Sequence, residues 1–300
     1  MKKFIIKTSI FSIIVVTVFV IILAKADGYT DPFYIRFTTP KQDNLILGTS
    51  RSAQGLQPKI FDGILTKDFF NYSFTIAHSP FGSVYLNSIK KKLNSQIKEG
   101  IFIITVDPWS ISQKGDNPND PKKFEENNLA LATVNLVNLN PNFEYLLKQL
   151  KGKYYTVLTN RFMSKMFLHN DGWLEVNISM DSASIKKRLD NKIKVYRKNN
   201  LPNCKLSIVR LSYLKQTVEY LKLHGNVYIV RLPVSPEIFA IEQELMPDFN
   251  EIINPICLVS EGYLDMTNEN HLYKFIDGNH LWKESGKLVS EKIAKWIKAE

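Results

Sequence analysis

Cysteine is scarce in this 300-residue chain, which holds only Cys204 and Cys257. Two cysteines can form one disulfide or stay as separate buried thiols, but they cannot build a disulfide framework. The chain also lacks the Cys/His spacing of a metal site and the interleaved basic and aromatic residues of a nucleic-acid platform. The sequence therefore predicts no metal, no cofactor and no nucleic-acid partner.

Internal repeats and low-complexity linkers are missing too. With 44% hydrophobic and 12% aromatic residues the chain can bury a full core, which excludes global disorder. Its 39 Lys and Arg exceed its 29 Asp and Glu by ten, and much of the excess lies in the stretches KKKLNSQIKEG and KKRLDNKIKVYRKNN. We interpret both stretches as solvated helix faces, with attraction to an anionic membrane or polymer as the alternative.

One long apolar run lies at the N-terminus, where three lysines precede the uncharged stretch Thr8–Ala24. The run fits a hydrocarbon core of about 30 Å, and cytoplasmic lysines would place the rest of the chain outside. We therefore expect residues 1–27 to be a membrane anchor and the remainder to be extracytoplasmic. A cleaved signal peptide is the alternative, because Ala24-Lys25-Ala26 has the small-x-small form of a cleavage site; the protein would then be secreted or periplasmic.

Short apolar runs alternate with helical patterns along the rest of the chain. The predicted strands are Leu45–Leu47, Tyr72–Thr75, Ile101–Val106, Val227–Val230 and, more weakly, Ile256–Val259. This alternation favours an α/β fold with a mainly parallel sheet of about five strands between two layers of helices. We expect residues 28–300 to form one domain, with an insertion at about 110–225 that helps roof a crevice at the carboxyl ends of the strands.

The stretch NLILGTSRSAQGLQP places a serine directly after the first strand. Gly48 permits a tight turn, so Ser50 can present its hydroxyl at the carboxyl end of the strand and point its own N–H at an anionic intermediate. The same pattern also suits a helix start with Ser50 or Ser52 as N-cap.

A second polar turn, FIDGNHLW, precedes the final helix and places Asp277 three residues before His280. At that spacing the carboxylate can hold one imidazole nitrogen while the other nitrogen faces a serine. Taken alone, the spacing is more often that of a helix-capping turn.

Together these two turns resemble the SGNH, or GDSL-type, hydrolase superfamily over nearly all of the chain from Asn44 onward. Gly48-Thr49-Ser50 matches the family's Gly-Asp-Ser block with Thr for Asp, and Asp277 and His280 match its Asp-x-x-His block. GTSRSAQGLQP is similar to the membrane-anchored, exported branch, which is related to proteins of cell-wall D-alanylation and exopolysaccharide O-acetylation. The resemblance implies a flavodoxin-like arrangement of three layers and a catalytic triad of Ser50, His280 and Asp277.

The resemblance also implies oxyanion donors at the N–H groups of Ser50 and Gly82, although Gly82 equally suits a helix start. Where the family has Gly-x-Asn-Asp, this chain has VDPWS, so Asp107 lies where an amide donor is expected. Loss of one such donor costs about 10²–10³ in rate. Ser79 is another group that could replace it.

Arg51, Asp107, Trp109 and Arg231 are the candidate substrate-binding residues. Arg231 follows a strand and could bind a carboxylate or phosphate, or could form a structural ion pair with Asp107 or Glu237. Glu242 and Glu244, on the next helical stretch, are expected to be surface charges.

The resemblance implies an exported serine esterase or O-acyltransferase. Its substrate would be an acylated polysaccharide, teichoic acid or lipid of the envelope, and a membrane acyltransferase is a possible partner. The alternative is a non-catalytic binding or assembly protein of the same fold, which the missing amide donor at Asp107 favours.

Overall fold

The computed structural model describes residues 1–300 and contains one main sheet of five parallel strands in the order β2-β1-β3-β8-β9. Two small antiparallel sheets, β4 with β7 and β5 with β6, lie outside it. The strands are β1 Asn44–Leu47, β2 Phe69–Asn71, β3 Gly100–Thr105, β4 Ser112–Lys114, β5 Met166–Leu168, β6 Leu174–Val176, β7 Cys204–Leu206, β8 Gly225–Arg231 and β9 Gly262–Asp265.

Twelve α-helices accompany the strands. They are α1 Lys2–Leu23, α2 Ser50–Gly55, α3 Pro58–Leu65, α4 Ser83–Lys92, α5 Ala130–Thr133, α6 Phe143–Leu150, α7 Thr156–Met163, α8 Ser182–Val195, α9 Ile208–Lys222, α10 Pro236–Leu245, α11 Phe249–Cys257 and α12 Lys283–Ala299. Side-chain caps start several of them; for example, Ser207 accepts the Arg210 N–H at 3.2 Å at the start of α9. A π-helical turn, Tyr196–Asn200, extends α8.

Apolar side chains cover both faces of the sheet, which is why the central strands are almost wholly buried. Leu45 and Leu47 of β1 belong to a large core cluster with residues of α4, α9 and α11. Ile46, between them, points the other way and belongs to a smaller cluster with residues of α3 and α12. The predicted α/β fold with a mainly parallel five-stranded sheet is confirmed.

Two predicted strands were misplaced. The second strand is Phe69–Asn71, and Tyr72–Thr75 is the extended chain that leaves it, with the Tyr72 N–H still donating to the Ile46 carbonyl at 2.8 Å. Ile256–Val259 lies at the end of α11 and in the turn after it, because Ile253, Ile256 and Cys257 are buried at helical spacing. The fifth strand is β9, at the sheet edge.

The strand order reverses between β1 and β3. β1 is flanked by β2 on one side and by β3 on the other, and the chain then continues outward through β8 and β9. In open α/β sheets the ligand crevice lies at such a switch point, outside the carboxyl ends of the strands. Here those ends lead directly to Ser50 and Asp107.

Helix α1 is long and apolar enough to cross a membrane or to serve as a signal sequence. Most of it is exposed, but Leu23 is buried in the large core cluster, and the Phe19 ring contacts Tyr154 with centroids 5.0 Å apart. The last turn of α1 is therefore packed against the globular part of the chain.

Residues 110–225 contain both small sheets and helices α5 to α9. Helix α9 packs against β8, so the end of this stretch contributes to the layer that covers the sheet. Both cysteines are free: Cys204 lies in β7 and Cys257 in α11.

The lysine-rich stretches are not simply solvated. The Lys92 side chain is buried, and its ammonium donates to the Thr39 carbonyl at 2.6 Å and the Val137 carbonyl at 3.0 Å. The interpretation as exposed helix faces is therefore wrong for this lysine.

Gly48 is predicted to be essential for the turn after β1. Its φ is +148°, and an added Cβ would lie 1.9 Å from Thr105 Oγ1, so Gly48→Ala should lower the free energy of unfolding by at least about 2 kcal/mol. Gly63→Ala is the matched control, because nothing lies near that position in α3; it should stabilise by about 0.5–1 kcal/mol. Urea denaturation of both variants measures the difference, and an equal effect would contradict the prediction.

Candidate active site

The turn after β1 presents Ser50 as the first residue of α2. Ser50 is only partly buried and lines a cavity at the carboxyl ends of the strands. Ser52, two residues on, is fully buried, and its hydroxyl donates to the Thr49 carbonyl at 3.1 Å. Of the two serines, Ser50 alone has its hydroxyl at the cavity.

The turn before α12 is closed by its own backbone and by Asp277. Gly278 adopts a positive φ of 82°, and the Ile276 N–H donates to the His280 carbonyl at 2.9 Å. Asp277 Oδ1 accepts the backbone N–H groups of Asn279 at 3.0 Å and His280 at 2.9 Å. These bonds hold the aspartate and the imidazole on one side of the turn.

The three predicted triad residues meet in space. His280 Nε2 lies 2.8 Å from Ser50 Oγ, and His280 Nδ1 lies 3.0 Å and 3.1 Å from the two carboxylate oxygens of Asp277. With the Nδ1 proton on the side of the carboxylate, the Nε2 lone pair can accept the serine proton. Serine, histidine and aspartate thus have the mutual geometry of an activated nucleophile, its base and the group that orients the base.

Lys192 is a further partner of Asp277, which sequence reasoning missed. Its ammonium lies 2.9 Å from Asp277 Oδ2 and comes from α8 in the 110–225 stretch. Burial disfavours the ionised carboxyl, but the charge and hydrogen bond of His280 and the charge of Lys192 outweigh it and hold the pKa of Asp277 well below its ordinary value. The carboxylate therefore stays ionised beside the imidazole.

Asn279 brings an amide to the same place. Its Oδ1 accepts from Arg51 Nε at 3.0 Å and from the Tyr196 hydroxyl at 2.9 Å. Because a guanidinium only donates, this contact fixes the amide orientation and turns Nδ2 toward His280 Nε2, 3.2 Å away. Sequence reasoning passed over Asn279, although it lies within the Asp-x-x-His turn.

Arg51 is buried in an ionic network behind the nucleophile. Its NH2 group lies 2.5 Å from Glu242 Oε1, and its NH1 group lies 3.7 Å from Asp107 Oδ2. Burial lowers the pKa of Arg51, but the two carboxylates outweigh this and raise the pKa above its ordinary value. Arg51 and Asp107 both line the cavity, so this ion pair forms part of its wall.

Glu242 and Arg231 depart from the sequence predictions. Glu242 is 0% exposed, not a surface charge, and it accepts from Arg51, Arg231 and the Trp109 indole. Arg231 is buried outside the cavity lining and pairs with Glu242 and Asp265, not with Asp107 or Glu237. This arrangement is that of a structural ion pair. Glu244 is on the surface as expected, paired with Arg197.

Trp109 lines the cavity as well. Its indole N–H donates to Glu242 at 3.1 Å, and its ring packs against Tyr196 with centroids 4.6 Å apart. The two aromatic side chains, one from the turn after β3 and one from the π-helical turn, form one side of the cavity.

Gly82 and Ser79 are not among the residues that line the cavity. Gly82 is the N-cap of α4, and an added Cβ there would lie 2.8 Å from Glu126 Oε1. Ser79 is buried, and its hydroxyl donates to the Gly48 carbonyl at 2.7 Å. Ala77 does line the cavity, and its N–H has no acceptor within the chain.

The cavity encloses about 220 Å³, and most of the residues that line it are polar or charged. At one end lie Ser50, Arg51 and Asp107. At the other lie Arg210 and Glu126, a buried pair with 2.8 Å between Arg210 NH1 and Glu126 Oε1. The space is therefore bounded by fixed charges of both signs.

The Glu242 carboxylate is predicted to be the main stabilising charge of the site. Glu242→Gln would leave Arg51 and Arg231 buried without their shared counter-charge, so it should lower the free energy of unfolding by about 3–5 kcal/mol. Glu244→Gln, two residues away but on the surface, should change little. Chemical denaturation of both variants measures this, and a small effect of Glu242→Gln would contradict the network.

The depressed pKa of Asp277 predicts a pH dependence of stability. The unfolded chain protonates this carboxyl near pH 4, whereas the folded chain keeps it ionised to lower pH, so its contribution is full above about pH 4 and is lost as the pH falls further. The free energy of unfolding of the wild type relative to Asp277→Asn should therefore decrease below about pH 4.

Asp62 is the control, because its pKa is shifted in the opposite direction to that of Asp277. Burial raises its pKa to about 6, so the wild type relative to Asp62→Asn should gain stability as the pH falls from about 6 to 4. Urea unfolding between about pH 3 and 7 measures both differences. A pH-independent difference for Asp277→Asn would contradict the assignment.

Comparisons with known proteins do not assign a family to this chain. A scan against protein-family models finds no match, and no curated protein matches it significantly. Function is therefore inferred from the residues and from their geometry.

Proposed function

We propose that this chain is a membrane-tethered serine esterase or O-acyltransferase of the SGNH type. The observation that carries the proposal is the 2.8 Å contact between Ser50 Oγ and His280 Nε2, two residues 230 positions apart. The fold supports it: counted along the sheet, the strand order corresponds to 2-1-3-4-5, the flavodoxin-like order, with helices on both faces.

The proposed reaction begins when Ser50 Oγ attacks an ester carbonyl carbon. His280 Nε2 takes the hydroxyl proton, and Asp277 stabilises the imidazolium through Nδ1. When the C–O bond of the ester breaks, His280 returns the proton to the departing alcohol, and the acyl group remains on Ser50. Water or a second hydroxyl then attacks the acyl-serine in the same way, which restores the free serine.

The tetrahedral oxyanion needs donors from the cavity wall. Ser50 is the first residue of α2, and its N–H has no acceptor within the chain. The Ala77 N–H has no acceptor either. We propose these two groups as the donors, with Ala77 in the place that Gly82 would have in the family. Asn279 adds an amide beside His280, from a different element than the asparagine of the family.

The class of substrate can be inferred from the membrane anchor and from the residues that line the cavity. With α1 kept in the membrane and its lysines in the cytoplasm, the site would lie outside the cell, next to the bilayer. The small volume and the lining charges of both signs favour a small acyl group on a polar carrier, such as an envelope polysaccharide, a teichoic acid or a lipid head group. A membrane acyltransferase would then be a natural donor partner.

The second candidate function is a non-catalytic binding or assembly protein of the same fold. Asp107 favours it, because a carboxylate lies where the family has an amide donor, and an anion cannot stabilise an oxyanion.

Fluorophosphonate labelling of the full chain separates the two candidates. Wild type should label, and Ser50→Ala and His280→Ala should lower the labelling rate on the order of 10⁴-fold or more, because serine and histidine act as a unit. Ser52→Ala should keep the label, since that hydroxyl is bonded to the Thr49 carbonyl.

Equal labelling of wild type and Ser50→Ala would exclude Ser50 as the nucleophile. Folded wild type that does not label at all would favour the non-catalytic protein. Thermal unfolding of each variant checks that the fold is intact.

A further inference from the structure

Helix α7 turns its apolar side chains toward solvent. Phe162 is 87% exposed and Met163 is 78% exposed. Tyr155, just before the helix, and Leu158, within it, are exposed as well. Only Val157 of this helix is buried, so α7 contributes little to the core.

Two polar residues of α7, Asn160 and Arg161, contact the segment that follows α1, although the Arg161 side chain is itself 62% exposed. Asn160 Nδ2 donates to the Thr30 carbonyl at 2.9 Å, and Arg161 forms an ion pair with Asp27. A helix on a water-exposed surface normally has the reverse arrangement, with apolar side chains inward and polar side chains outward. The outer surroundings of α7 should therefore be apolar.

The position of α7 along α1 indicates what those surroundings are. Tyr154, at the entry to α7, contacts Phe19, which lies four residues before the end of α1. At 1.5 Å per residue, Phe19 is about 6 Å inside that end. An α1 that fills a hydrocarbon core of about 30 Å therefore brings the α7 region to the depth at which interfacial helices sit, about 5–10 Å into the boundary.

We infer that α7 is embedded in the membrane interface beside α1 and that the domain binds the bilayer surface through it. The inference rests on the proposed anchor, not on the proposed chemistry. Three exposed lysines flank the helix, Lys151 and Lys153 before it and Lys165 after it. Their charge suits anionic head groups, while the aromatic and methionine side chains reach the acyl chains.

Photocrosslinking tests this with the full chain in vesicles of phosphatidylcholine and phosphatidylglycerol. Phe162 is replaced by p-benzoylphenylalanine, and mass spectrometry identifies the adducts after irradiation. The structure predicts lipid adducts at position 162, with a yield similar to that of the same probe at Ile13 within α1.

Leu258, which follows α11, is the matched control because it is 76% exposed and belongs to neither α1 nor α7. The probe there should give at least tenfold less lipid adduct. Lipid adducts at Ile13 without adducts at Phe162 would overturn the inference. Adducts at Phe162 to a second copy of the chain instead of lipid would overturn it too. Labelling of Ser50 by a fluorophosphonate is independent of either outcome.

Discussion

The buried carboxylate of Glu242 is the constraint on which the geometry of the site depends. It lies on α10 and accepts hydrogen bonds from Arg51 at the start of α2, from Trp109 in the turn after β3, and from Arg231 at the end of β8. One side chain thus ties together the carboxyl ends of three neighbouring strands. A lone carboxylate in this place would be strongly destabilising, and two guanidinium groups and an indole N–H compensate for its desolvation. The cost of burying these charges is offset only when all the strand ends are in register, so the network selects one arrangement of the crevice.

The polar contacts continue from this network to the candidate nucleophile. Arg51 holds Asn279, Asn279 faces His280, and His280 bonds to both Ser50 and Asp277. The 110–225 stretch adds two further contacts: Lys192 pairs with Asp277, and the Tyr196 hydroxyl donates to Asn279. This stretch is therefore part of the wall and of the electrostatics of the site, and it does more than roof the crevice. Through it, residues far apart in sequence orient the imidazole from both sides.

The features that could be predicted from the sequence are those set by local rules. The apolar run before Gly48 indicated a buried strand and a tight turn, and the Asp277–His280 spacing indicated a turn that presents both side chains. The features that were missed depend on distant partners. Glu242 was predicted to be on the surface because its partner Arg51 is 191 residues away, and no residue near Glu242 in sequence indicates that the two will meet. Lys92 was interpreted as solvated for the same reason, since Thr39 and Val137 supply its acceptors. The run Ile256–Val259 has strand composition, but the burial of one helix face decided its conformation.

For the proposed chemistry, Asp107 is less disruptive than its charge alone suggests. Asp107 is 3.7 Å from the guanidinium of Arg51, and its Oδ1 accepts the Ser110 N–H at 2.9 Å. A paired and hydrogen-bonded carboxylate repels a nearby oxyanion less than a free one does. Arg51 also fixes the orientation of Asn279, whose Nδ2 lies beside His280 Nε2. The same arginine thus pairs with the carboxylate of Asp107 and orients the amide of Asn279. In the proposed chemistry, Arg51 would be the residue that makes a site with Asp107 compatible with a developing negative charge.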